Sequence, residues 1–128
     1  MNEQTRNNLL SAMQGEAFAF AKYMLFAEHA RNAGHADLAS LFETTALVER
    51  VEHFAEEAQL AGLVGSDVEN LRQAISGEAY EVDTMYREFA AQAEAAGESA
   101  AAARFQEIRA DETGHLAAYV AALDTLEA

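Results

Sequence analysis

Glutamates set among apolar residues, with histidine close behind, are the groups in this chain best suited to chemistry. Glu112-Thr113-Gly114-His115 reads Glu-x-x-His, and residues three apart share one face of a helix. At an offset of 63 the first half has Glu49-Arg50-Val51-Glu52, with Glu52 at the histidine position and His53 one residue later. Each half also carries a glutamate early in its first helix. These are Glu16 in Gly15-Glu16-Ala17-Phe18 and Glu78 in Gly77-Glu78-Ala79-Tyr80, at an offset of 62. Phe42 precedes Glu49 by seven positions and Phe105 precedes Glu112 by seven, which puts the acidic clusters on the stripe of the core aromatics. Burying an ionised carboxylate without a partner is very costly, and several in one core cannot all stay charged. Only eight Lys and Arg answer 22 Asp and Glu. A pair of divalent cations resolves that conflict.

The elements that must position these residues are helices. Glycines punctuate the chain at Gly34, Gly62–Gly65 and Gly97, and apolar residues recur at helical spacing between them. The spacing predicts a first helix over Thr5–Ala33, with Phe18, Met24, Leu25 and alanines as its apolar stripe. A second is expected over Ala36–Ala61, burying Leu38, Leu41, Phe42 and Leu60. Ser66 and Glu69 form a capping box that opens a third helix, which runs to about Ala96. The fourth starts near Ser99 and reaches the C-terminus. The fold class is all-α, a four-helix bundle in one domain over residues 1–128, built from two hairpin repeats at roughly 5–61 and 66–127. Gly34/Gly97, Phe42/Phe105 and Glu49/Glu112 keep the offset of 63, so a one-residue slip falls between Glu78 and Gly97. It predicts a local bulge in the third helix or a longer turn.

Bulk properties narrow the function. The chain has no proline and no cysteine, which excludes disulfides, thiolate-bound iron and cysteine nucleophiles. A net charge of −14 makes nucleic acid a poor partner. No apolar run approaches the ~20 residues needed to span a bilayer, and no signal-peptide pattern opens the chain. No membrane association and a cytoplasmic location are expected. His29 and His35, near the end of the first helix, suit the helix dipole rather than a ligand role. Glu28, Glu56, Glu57 and Glu94 read as a solvated face.

A Glu from each of two helices plus a Glu-x-x-His from each of the other two is the pattern of di-iron carboxylate bundles. On these residues the chain resembles the rubrerythrins of the ferritin-like superfamily. The resemblance covers nearly the whole chain and is clearest in Ala12–Glu16, Gly77–Glu81, Met85-Tyr86 and Phe105–His115. It implies a metal-ligand set of Glu16, Glu49, Glu52, Glu78, Glu81, Glu112 and His115, with His53 as the alternative to Glu52. It also implies that Tyr23 and Tyr86 orient ligating carboxylates by hydrogen bonds. The implied cofactor is two iron ions per site, although carboxylate sites also accept manganese or zinc. Two departures are evident. The cysteine-bound rubredoxin part common in the family is missing, so the chain resembles the rubredoxin-free short forms and needs an external electron donor such as a rubredoxin-like protein. Glu52 stands where the family has histidine, which puts in doubt an iron that moves between that histidine and the Glu81 position.

The implied activity is reduction of hydrogen peroxide or oxygen at the di-metal centre. A ferroxidase or iron store, or a structural bundle holding a redox-inert metal, would use similar ligands. In ferritin-like bundles a long crossover joins the second and third helices. Here only Gly62–Gly65 separates them. Four residues span at most ~14 Å, whereas a 25-residue helix is ~38 Å long. Either the second and third helices pack antiparallel within a monomer or two chains exchange helical hairpins; the expected solution is the exchanged homodimer.

Overall fold

The computed structural model describes all residues, Met1–Ala128, and contains helices and short links only. Two compact units, Met1–Val64 and Gly65–Ala128, each consist of one helical hairpin.

In the first hairpin, α1 spans Glu3–Asn32 and opens at Asn2, whose side chain accepts from the Thr5 amide at 2.8 Å. Gly34, at φ +83°, lets the chain reverse, and the His35 amide closes back on the Ala30 carbonyl at 2.8 Å. The returning helix is one continuous rod made of α2 (Ala36–Val48), a wide π turn, π1 (Glu49–Phe54), and α3 (Ala55–Ala61). Gly62, at φ +65°, ends it. The seam between the two rods is alanine: Ala27, Ala30, Ala39 and Ala46 are all at most 2% exposed. Small residues let two helices approach closely. Tyr23, Phe26 and Phe42 stack at the edge of the seam, with ring centroids 5.4 to 6.1 Å apart.

This seam differs from the stripe of large residues expected from periodicity. Phe18, Leu25 and Leu41 are exposed, at 67%, 65% and 62%. A two-helix hairpin has a single seam, and each long helix has room on its other faces for a second apolar stripe.

The second hairpin repeats the design. Ser66 accepts from the Glu69 amide while Glu69 accepts from the Ser66 amide at 2.7 Å, the expected capping box. The outgoing rod is α4 (Asp67–Tyr80), a second wide turn, π2 (Glu81–Met85), and α5 (Tyr86–Ala95). After the turn at Gly97, φ +75°, α6 runs over Ser99–Glu127. Ala90, Ala93 and Ala102 fill the seam, and Tyr86, Phe89 and Phe105 stack beside it. The wide turn π2 lies between Glu78 and Gly97, where the repeat slips by one residue. No helix is long and apolar enough to cross a membrane.

Candidate metal centre

Each hairpin brings two glutamates and one histidine together. Glu16, Glu49 and His53 form one group and Glu78, Glu112 and His115 the other, each with one ligand atom per residue within 4.8 Å of the rest. The four glutamates are half-buried and the two histidines lie at the exposed edge.

The helices explain why these residues meet. Glu16 on α1 faces Glu49 across the first seam, and Glu78 on α4 faces Glu112 across the second. His115 follows Glu112 by three positions on a regular helix, and its Nδ1 lies 2.8 Å from Glu112 Oε2. His53 follows Glu49 by four positions, yet its Nδ1 lies 3.0 Å from Glu49 Oε2 and 3.6 Å from Glu16 Oε2. The reason is π1, which begins at Glu49. A π turn takes more residues per revolution than an α turn, so the fourth residue comes round to the face where the third would stand. The two wide turns together account for the repeat. Glu16 and Glu78 are 62 apart, the extra residue in π2 makes Glu49 and Glu112 63 apart, and the extra residue in π1 returns His53 and His115 to 62.

The electrostatics are the same in both groups. The Glu16 carboxyl is raised above its ordinary value chiefly by a hydrogen bond to Glu49, while Glu49 is lowered by that bond and by the one from His53. His53 is raised by its bond to Glu49. Glu78 is likewise raised by sharing a hydrogen bond with Glu112, Glu112 is lowered by Glu78 and then His115, and His115 is raised by Glu112. Glu16 and Glu78 are therefore the members of each facing pair that take up a proton first as pH falls.

The remaining expected site residues sit around these groups. Glu52 is exposed and belongs to neither group; the place beside Glu49 is taken by His53. Glu81, the first residue of π2, stands outside the second three-residue group but close enough for its charge to raise Glu78 and Tyr86. Tyr86 is raised first by burial and then by the charges of Glu81, Glu112 and Glu78. Tyr23 packs on Phe42, one helical turn pair away from Glu49, at 6.1 Å between ring centres.

A further acidic residue departs from its expected place. Glu57 reads as part of a solvated face, but its Oε2 is buried without a hydrogen-bond partner, and its charge raises Glu16. Its signal in the sequence is the repeat of four from Glu49 to His53 to Glu57, legible only once π1 is known.

The donor chemistry fits a cation. Glu78 Oε2 is also buried with no hydrogen-bond partner, and an unpaired buried carboxylate oxygen is costly unless a cation meets it. Carboxylate and imidazole donors suit iron, manganese and zinc.

Comparison with known proteins agrees. The family model for rubrerythrin matches residues 7–53 and 48–123. The chain is 36% identical to rubrerythrin of Porphyromonas gingivalis, across 97% of this chain and 68% of that protein. It is 33% identical to nigerythrin of Nitratidesulfovibrio vulgaris, with the same coverage of both chains. The solved structure of fully reduced, all-ferrous nigerythrin aligns with a TM-score of 0.50 at 33% identity, over 97% of this chain and 68% of that one. The fold class is therefore all-α and ferritin-like, and the two carboxylate–histidine groups support a di-iron site. The chain belongs to the rubrerythrin family.

Proposed function

We propose that the protein is a di-iron oxidoreductase that reduces hydrogen peroxide or oxygen. The observation that carries this reading is the duplicated Glu–Glu–His group, one on each hairpin. Glu16, Glu49 and His53 would hold one side of the metal pair and Glu78, Glu112 and His115 the other, with Glu81 as a further carboxylate. Bound iron supplies one electron per ion, so a pair meets the two electrons that peroxide needs to become two waters. Two protons are needed as well. Glu16 and Glu78 have the raised carboxyls of the metal-free groups, and a bound cation would displace any proton shared within either pair. The two protons consumed in the reduction would then come from solvent, which reaches each group at its exposed edge, His53 or His115. Tyr86 feels the charges of Glu81, Glu112 and Glu78 and would orient these carboxylates, as such neighbours do in metal sites. Tyr23 takes the equivalent place in the first hairpin. A donor of the rubredoxin kind returns the electrons, and the cytoplasm is the proposed location.

The assembly belongs to the same reading. Each hairpin carries half of the ligand set, and Phe18, Leu25, Leu41 and Leu60 leave the first with an exposed apolar face. The link between the hairpins, Gly62 to Ser66, is too short for a crossover along a helix of this length. A homodimer formed by hairpin exchange satisfies both facts and gives two sites per dimer.

The test is elemental analysis of protein purified without added metal, followed by absorption spectroscopy of the iron(II)-loaded protein before and after peroxide. About two irons per chain, peroxide-dependent oxidation and turnover with a reductant support the reading. Failure to take up ferrous iron refutes it. Loading beyond two irons per site would instead indicate storage.

A further inference from the structure

Arg109 lies on α6, three residues before Glu112, and is half-buried. An arginine at this spacing is placed to pair with a glutamate on its own helix. It does something else. Its Nε donates at 2.7 Å to the backbone carbonyl of Val82, on the other rod of the hairpin.

That carbonyl is a special one. In a regular α-helix the Tyr86 amide would bond to Val82. In π2 the Tyr86 amide bonds to Glu81 instead, and Val82 loses its α-helical partner. Val82 is buried, at 9% exposure, where a carbonyl without a donor is costly. The guanidinium supplies the missing donor, with the added strength of a charged one. No side chain donates in this way to a carbonyl of π1, and the first hairpin has Ala46 at the position 63 residues before Arg109.

The geometry points to Arg109 as the positioning residue of the second group: by capping the Val82 carbonyl it holds open the wide turn that sets Glu81 and Tyr86 beside Glu78 and Glu112. This inference rests on the reading of that group as a cation site. Glu81 immediately precedes Val82, and Tyr86 owns the displaced amide. Without the cap, the turn gains by closing to α spacing, with the Tyr86 amide back on Val82. Closure removes one residue's worth of rotation, ~100°, between the segment carrying Glu78 and the segment carrying Tyr86. The two can then no longer face the same point.

The test compares the unaltered protein with Arg109→Met and Arg109→Lys by two measurements. Amide hydrogen exchange around Tyr86 in metal-free protein reads the cap. Cobalt(II) titration, followed by the visible absorption band, reads the ligand geometry. Arg109→Met should exchange faster at Tyr86, bind cobalt(II) about tenfold or more weakly and show an altered band. Arg109→Lys, which keeps a charged donor, should restore the wild-type band and affinity. Unchanged exchange in Arg109→Met would overturn the cap. Faster exchange with an unchanged band and affinity would make Arg109 merely structural and overturn the positioning role. If Arg109→Met does not fold, Arg109→Lys decides: a tenfold loss of cobalt(II) affinity at wild-type helicity overturns the proposal, and wild-type binding supports it. Wild-type protein that takes up no cobalt(II) refutes the metal-centre reading itself, and the exchange data still decide the cap.

Discussion

His53 reaches the carboxylate of Glu49 from four residues away with the same ring nitrogen by which His115 reaches Glu112 from three. The two contacts are equivalent because π1 absorbs the additional residue. A single inserted residue in a helix would otherwise turn every later side chain by ~100°. Here the wide turn keeps the histidine on the site's face and moves Glu52 off it.

This arrangement predicts an asymmetry between neighbours. His53→Gln should weaken ferrous iron binding by about ten- to a hundredfold, and Glu52→Gln should leave it unchanged. Competition with a coloured iron(II) chelator measures both. A greater loss from Glu52→Gln than from His53→Gln would return the ligand role to Glu52.

The facing carboxyl pairs predict a trade between metal binding and stability. Glu16 is raised by Glu49 and Glu78 by Glu112, so each pair opposes folding once both members ionise. Glu16→Gln or Glu78→Gln keeps a donor toward the partner and removes one charge. Each variant should melt a few degrees higher than wild type in metal-free form at pH 8, and should lose tight iron binding. A lower melting temperature in both variants would mean that the pairs carry no strain.

The pH dependence of the metal-free protein follows from the directions of these shifts. His53 and His115 are raised from 6.5, so their stabilisation is complete below that value and is lost as pH rises through their folded values. Glu16 and Glu78, raised from 4.5, act in the same sense at lower pH. Glu49 and Glu112 are lowered from 4.5, so theirs is present above that value and is lost as pH falls through their folded values. Stability should therefore peak in mildly acidic solution and decline toward pH 8. Iron affinity should run the opposite way and rise with pH, because the cation displaces protons from the same groups. Thermal melts and iron titrations from pH 5 to pH 8 test both; a melting temperature that climbs through this range would contradict the assignment.

Hairpin exchange predicts a response to linker length. Inserting about 20 flexible residues between Leu63 and Val64 gives one chain enough reach for the ~38 Å crossover. The wild-type protein should be a dimer at micromolar concentration by light scattering, and the extended protein a monomer that still binds iron. A wild-type monomer would end the exchange proposal.

The four helices, their glycine boundaries and the repeated positions of Glu16, Glu49, Glu78 and Glu112 were legible in the sequence; that they meet in pairs within each hairpin was not. Helical periodicity, capping residues and an internal repeat are local signals that survive without coordinates. The placement of His53 beside Glu49, the inward turn of Glu57 and the use of Arg109 on a backbone carbonyl were not. Each depends on a π turn, which adds one residue without altering composition or hydrophobic pattern. At π2 a group on another helix, the Arg109 guanidinium, donates to the carbonyl that the turn leaves free. Tertiary packing therefore decides the register of the site, and the chain's own periodicity sets only the helices that carry it.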